Sequence, residues 1–88
     1  MTQLKPKFTK GLSTFCGQAM LEKTEKGTVL YSFDKKVGLI DKEGKCFLFV
    51  RNIKNKNQLV HIKEWLKQNC LEIGNKKFLF EKYGKEMM

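Results

Sequence analysis

"TVLYSFDKKVGLIDKEGKCFLFVR", residues Thr28 to Arg51, decides the fold. Thr28–Phe33 is dense in β-branched and aromatic residues, a composition that suits a pleated, half-buried strand. Asp34–Lys36 reads as a turn and Val37–Asp41 as a second strand. Lys42–Gly44 turns again, and Lys45–Arg51 supplies the third strand. Connections this short permit only antiparallel neighbours, so the stretch is a meander. Side chains alternate across a strand. Cys46, Leu48 and Val50 therefore face a core, and Lys45, Phe47, Phe49 and Arg51 share the other face. Two rings between two positive charges are either a stacking platform for bases or the wall of a second core. The small chain favours the core.

Working outward, Thr14–Thr24 reads as a strand entering a hairpin at Glu25–Gly27. Gly17 counts against a competing short helix. Adding Gln18–Lys23 to the meander would make four strands. Residues 1–10 read as a flexible basic arm, holding the chain's one proline, Pro6, and no apolar period. Downstream, Asn52–Asn57 is a polar loop with Asn57 as the expected helix N-cap. From Gln58 to Asn69 the period is helical. Leu59, Ile62 and Leu66 form one stripe with Trp65 on its shoulder, and Lys63, Glu64, Lys67 and Gln68 face water. The tail is open between two readings. Asn75 would cap a helix with Phe78, Leu79, Lys82 and Tyr83 along one side; a strand would align Phe78 with Phe80. The helix is favoured. The expected domain is then α+β over residues 11–88: an antiparallel meander of three to four strands, one amphipathic helix packed on it and a short C-terminal element.

Eighty-eight residues make one domain. A chain of this length buries only about 60% of its unfolded surface, so most large apolar residues are needed inside. The net charge is +9, and all but one of the 18 basic residues are lysine. Such an imbalance suits a polyanionic partner. Lysine contacts phosphate as a point charge, whereas base edges are read best by the arginine fork. Binding through backbone phosphates is the expected mode.

Cys16, Cys46 and Cys70 are odd in number and spread through apolar contexts, which suits buried thiols in a reducing cytoplasm. They lack the clustered spacing of a metal site, and no metal or other cofactor is expected. The start of the chain, "MTQLKPKFTKG", is basic without an apolar stretch, so no secretory signal is expected. The longest apolar run, "CFLFV", is too short to span a bilayer, and no membrane partner is expected. The glycines fall singly at turns, and no phosphate loop, nucleophile elbow or metalloprotease pair occurs. His61 has no recognisable carboxylate or nucleophile partner in sequence. It is expected as a structural histidine at the helix–sheet seam, packed on Trp65 four residues on.

Two resemblances bear on function. Lys45, Phe47, Phe49 and Val50 partly match the central signature of the RNA-recognition motif, in which alternate aromatics stack bases. Cys46 and Leu48 replace its small residues, and nothing upstream supplies its first strand and helix, so that fold is excluded. The second covers roughly residues 14–72. "TFCGQA" (Thr14–Ala19), "VLYSFDKKVGLID" (Val29–Asp41) and "HIKEWLKQN" (His61–Asn69) resemble a family of short proteins encoded mainly by bacteriophages. Gly17, Ala19, Ser32, Val37, His61, Ile62 and Leu66 fit that family's pattern. Gln18, Phe33, Lys36, Val60 and Trp65 depart from it, and "NKNQ" stands where it has a Ser-Thr-Thr stretch. The resemblance implies a phage or prophage origin, a small intracellular domain and a sheet followed by a helix. It names no substrate.

The function expected from these readings is non-enzymatic binding of a polyanion, either nucleic acid or machinery associated with it. The contacts expected are Lys45, Arg51, Lys54 and Lys56, with Phe47 and Phe49 as stacking candidates. The alternative is a protein-interaction inhibitor that sets a basic face against an acidic or nucleic-acid-binding groove of a host or defence enzyme. No small-molecule substrate is expected.

Overall fold

The computed structural model describes residues 1–9 and 18–85. Six strands hydrogen-bond in chain order: β1 (Thr2–Gln3), β2 (Ala19–Thr24), β3 (Gly27–Ser32), β4 (Lys35–Asp41), β5 (Cys46–Phe49) and β6 (Gly84–Lys85). The first five are antiparallel, and β6 lies parallel to β5. Two helices, α1 (Lys56–Gln68) and α2 (Lys76–Tyr83), lie between β5 and β6 in the chain. The α+β class and the central meander are as expected. The sheet is wider than the expected three to four strands, and a second helix stands beside the first. The expected strand at Gln18–Lys23 is β2; the part of that reading over Thr14–Gly17 lies outside the described residues.

Each turn has a local chemical cause. At the β2–β3 turn, the Thr24 hydroxyl donates to the Gly27 carbonyl at 3.0 Å and accepts from the Lys26 N–H at 3.2 Å. Gly27 has φ 146°, and a Cβ there would meet the Ile40 carbonyl oxygen at 2.1 Å. The β3–β4 loop is Phe33–Asp34, both left-handed at φ 52° and 67°. Two positive φ values give a two-residue loop the twist that antiparallel strands need. The turn therefore falls one residue earlier than expected, and Lys35 and Lys36 join β4. The Asp41 carboxylate accepts from the N–H groups of Glu43 and Lys45, both at 2.9 Å, and closes the β4–β5 turn. The expected third strand is cut short. Val50, Arg51 and Asn52 leave it as a single 3-10 turn.

Leu30 pairs with Gly38 but Tyr31 pairs with Lys36, so Val37 is an extra residue. That bulge turns Val37 into the core, where it is fully buried. Leu30, Gly38 and Leu48 then face the helices in one row across the sheet. The Trp65 ring lies so close over Gly38 that a Cβ there would sit 2.8 Å from a ring carbon. Ile62, Trp65 and Leu66 from α1 and Leu79 and Tyr83 from α2 complete this core with Leu4, Ala19 and Ile53. The opposite face aligns Val29, Leu39 and Phe47 across β3, β4 and β5.

The helix caps correct one expectation and match another. Asn55, not Asn57, caps α1. Its side chain accepts from the Gln58 N–H at 3.0 Å, and the Gln58 side-chain oxygen accepts from the Asn55 N–H at 3.0 Å and from the Lys54 N–H. This reciprocal box needs Gln three residues after the cap, which only Asn55 provides. Asn75 caps α2 as expected, accepting from the Phe78 N–H at 2.9 Å.

The chain start differs most from expectation. Over residues 2–9 it is docked, not a free arm. Thr2 and Gln3 pair with Leu21 and Met20, and Leu4 is buried in the core. Glu64, expected to face water, is 1% exposed. Its carboxylate accepts from the N–H groups of Lys7 (2.8 Å), Phe8 (3.2 Å) and Thr9 (2.9 Å), from the Thr9 hydroxyl (2.7 Å) and from the Gln68 amide (2.6 Å). Gln68, also expected in water, donates to the Lys5 carbonyl at 2.8 Å.

Burial pushes the Glu64 carboxyl up. The Gln68 amide, the Lys7 N–H, the Thr9 hydroxyl and the Phe8 N–H together outweigh that and hold it at about 2. The folded value lies below the ordinary 4.5, so this stabilisation is present above pH 4.5 and lost as pH falls toward about 2. Its full size is on the order of 3 kcal/mol. Glu64→Gln should lose about 2 kcal/mol at neutral pH in urea unfolding and show a flatter decline of stability with acid than the parent. Gly38→Val should cost about 1–3 kcal/mol in the same assay, because the added methyls meet the Trp65 ring.

Candidate functional site

The six residues expected to bind do not form one surface. Lys45 is exposed ahead of β5 and lines a groove with Cys46 and Phe47. Phe47 is half-buried, and Phe49 is 7% exposed. Phe49 therefore offers no open ring face to a base, whereas Phe47 keeps part of its surface exposed. Arg51 is exposed on the 3-10 turn. From that turn the Asn52 amide donates to the Lys36 carbonyl at 2.8 Å, which holds it against β4.

Lys54 and Lys56 do come together. They line a groove of about 440 Å³ with Ile53, Asn55, Leu59 and, from the other helix, Lys76. Lys76 is not legible as a site residue in the sequence, because it lies 20 residues beyond Lys56 and only the tertiary fold brings the two together. Lys56 is the first residue of α1 and Lys76 the first residue of α2. Neither helix has an acidic residue in its first turn. A helix start carries a partial positive charge, and a cation there is unfavourable by about 0.3–1 kcal/mol. Carboxylates are the usual residents of that position. Among the described residues the one ion pair is Lys82–Glu72 at 3.0 Å, and it involves none of these lysines. The groove thus brings three lysines and two helix starts together with no acid among its lining residues. Lys76 also lies 5.5 Å from the Phe80 ring, which limits its wandering.

His61 is fully buried. Its Nδ1 lies 2.7 Å from the Ser32 hydroxyl, and its ring stacks on Phe33 at 5.1 Å between centroids. It is interior rather than at the expected seam's edge, and Phe33 is a ring partner that nothing local in the sequence announces. A serine beside a histidine is the pairing of a nucleophile and its base. Here both side chains are fully buried. What the pair does is tie the β3–β4 turn to α1. The left-handed Phe33 is held by that stacking and by its N–H bond to the Gln18 carbonyl at 2.9 Å.

Among the described residues no three His, Cys, Asp or Glu side chains gather as a metal site, and no helix is long and apolar enough to cross a membrane. No family model, curated protein or solved structure matches the chain.

Phe49→Ala should lower stability by about 3 kcal/mol in chemical unfolding, because a buried ring is lost. Arg51→Ala, at an exposed position, should stay within about 0.5 kcal/mol of the parent. Equal stability of the two variants would return Phe49 to the surface.

Proposed function

We propose that this chain is a non-enzymatic intracellular protein that binds a polyanion through Lys54, Lys56 and Lys76. Nucleic-acid backbone is the preferred ligand. The observation that carries this is the convergence of three lysines on one groove between the Asn-capped starts of two helices, without a carboxylate among its lining residues. An anion seated there would gain from the ammonium groups and from those first-turn N–H groups that the Asn55 and Asn75 caps do not take up. Arg51 on the adjoining turn and the exposed Lys35 and Lys36 on β4 extend the same basic edge. The near absence of arginine fits phosphate contact rather than base reading. The resemblance to short phage-encoded proteins supports a phage or prophage setting. A host protein that presents an acidic groove would engage the same lysines.

Fluorescence titration with labelled DNA and RNA over a range of salt concentrations tests this. Affinity should fall steeply with salt. Replacing Lys54, Lys56 and Lys76 by Gln should reduce the slope of log affinity against log salt by about 0.7–0.9 per lysine that contacts phosphate. Salt-independent binding, or a triple variant with the parent slope, would overturn the proposal. Capture of a single protein from nuclease-treated lysate, without nucleic-acid affinity, would move the reading to an interaction inhibitor.

A further inference from the structure

A second groove, of about 480 Å³, lies between the start of β5 and the loop after α1. Cys46 and Cys70 both line it, with Lys45, Phe47, Lys82 and Tyr83. Both thiols are free. Cys46 is buried at the head of β5, and Cys70 is exposed. The backbone at Cys70 is left-handed, with φ 59°. There α1 closes, with the Cys70 N–H bonded to the Lys67 carbonyl at 3.1 Å and the Leu71 N–H to the Leu66 carbonyl at 2.9 Å. That closure is ordinarily made by glycine, because a Cβ is disfavoured in the left-handed region. A thiol kept in a strained position at the mouth of a groove that holds a second thiol points to a task.

We propose that Cys70 and Cys46 are a thiol–disulfide exchange pair that accepts small disulfides, with Cys70 attacking and Cys46 resolving. The Cys70 thiolate attacks one sulfur of the small disulfide. That S–S bond breaks, and the first small thiolate leaves and takes up a proton. Cys46 then loses its proton and attacks the Cys70 sulfur, and the second small thiol departs. Two protein thiols are oxidised to one disulfide, and one small disulfide is reduced to two thiols. The order follows from the surroundings. Burial pushes the Cys46 thiol up to about 12, so it stays protonated at neutral pH and is a poor first nucleophile. Cys70 is the one that solvent reaches. The groove wall carries Lys45 beside the Lys82–Glu72 ion pair, a net positive lining that suits an anionic disulfide such as oxidised glutathione. Bridging needs Cα atoms within about 4.4–6.8 Å. The groove they share is what brings the two cysteines to one surface. The product would bolt the end of α1 to β5.

The test is incubation of the full chain and of its Cys16→Ser variant with oxidised glutathione, at neutral and mildly alkaline pH. Intact mass and tryptic mapping give the readout, and circular dichroism confirms the fold. Cys16 lies outside the described residues, and its replacement removes it as a competing partner. Both proteins should lose two hydrogens and yield one peptide pair linked through Cys46 and Cys70, faster at the higher pH. Cys70→Ser should abolish the reaction, and Cys46→Ser should accumulate a glutathione adduct at Cys70. If Cys46→Ser does not fold, the linked peptide of the Cys16→Ser protein decides alone. A lasting Cys70 adduct with Cys46 present, a bridge through Cys16, or unreacted folded protein would each overturn the pair.

Discussion

The carboxylate of Glu64 is the constraint on which the arrangement of this fold depends. A charge placed inside a protein costs several kcal/mol unless donors surround it. Helix α1 supplies one donor to it, from Gln68, and the other four come from residues 7–9 of the chain start. The helix is therefore incomplete without the opening residues. Once residues 7–9 are fixed on α1, the stretch before them is drawn along β2. Thr2 and Gln3 add a strand, and Leu4 closes the core beneath Ala19. A basic run without apolar periodicity becomes structured because of one acid more than fifty residues away.

The sheet answers to a second constraint, the width of the Trp65 ring. With both helices on one face, the largest side chain of α1 must approach the sheet closely, and Gly38 leaves room for it. The bulge at Val37 keeps the apolar row in register on either side of that gap. The β3–β4 turn is the strained part. Phe33 and Asp34 both adopt the left-handed conformation without glycine. Stacking of Phe33 on His61, together with the Ser32–His61 contact, supplies the interactions that offset the strain. The histidine thus helps to hold that turn.

Local chemistry explains what was legible in the sequence. The strands from Thr28 to Phe49 could be read because β-branched and aromatic residues alternate between plain turn signals. Helix α2 could be read from Asn75, whose side chain caps it as its position implies. What could not be read depended on distant partners. Glu64 looks solvated on a helical wheel, since nothing near it in sequence announces three backbone donors. Phe47 and Phe49 carry an alternation that fits a platform as well as a core, and only their burial in the fold, nearly complete for Phe49 and partial for Phe47, separates the two. Asn57 lost the cap to Asn55 because Gln58 completes a box with the latter, a signal present in the sequence and overlooked. Of the expected binding residues, Lys54 and Lys56 share a groove, whereas Lys45 belongs to another.

Charge placement separates the basic edge from a general lysine surplus. Seventeen lysines distributed for solubility would be scattered, with acids preferred at helix starts and lysines at helix ends. Both helices here do carry a lysine in the last turn, Lys67 and Lys82, where it is favourable. They also carry Lys56 and Lys76 at the first position, where it is not. Composition alone predicts the first placement and not the second. The second raises the positive potential in one groove at a cost to each helix, and an anion in that groove would offset the cost. The unfavourable lysines, rather than the net charge of +9, are the reason for proposing the α1–α2 edge as a binding surface.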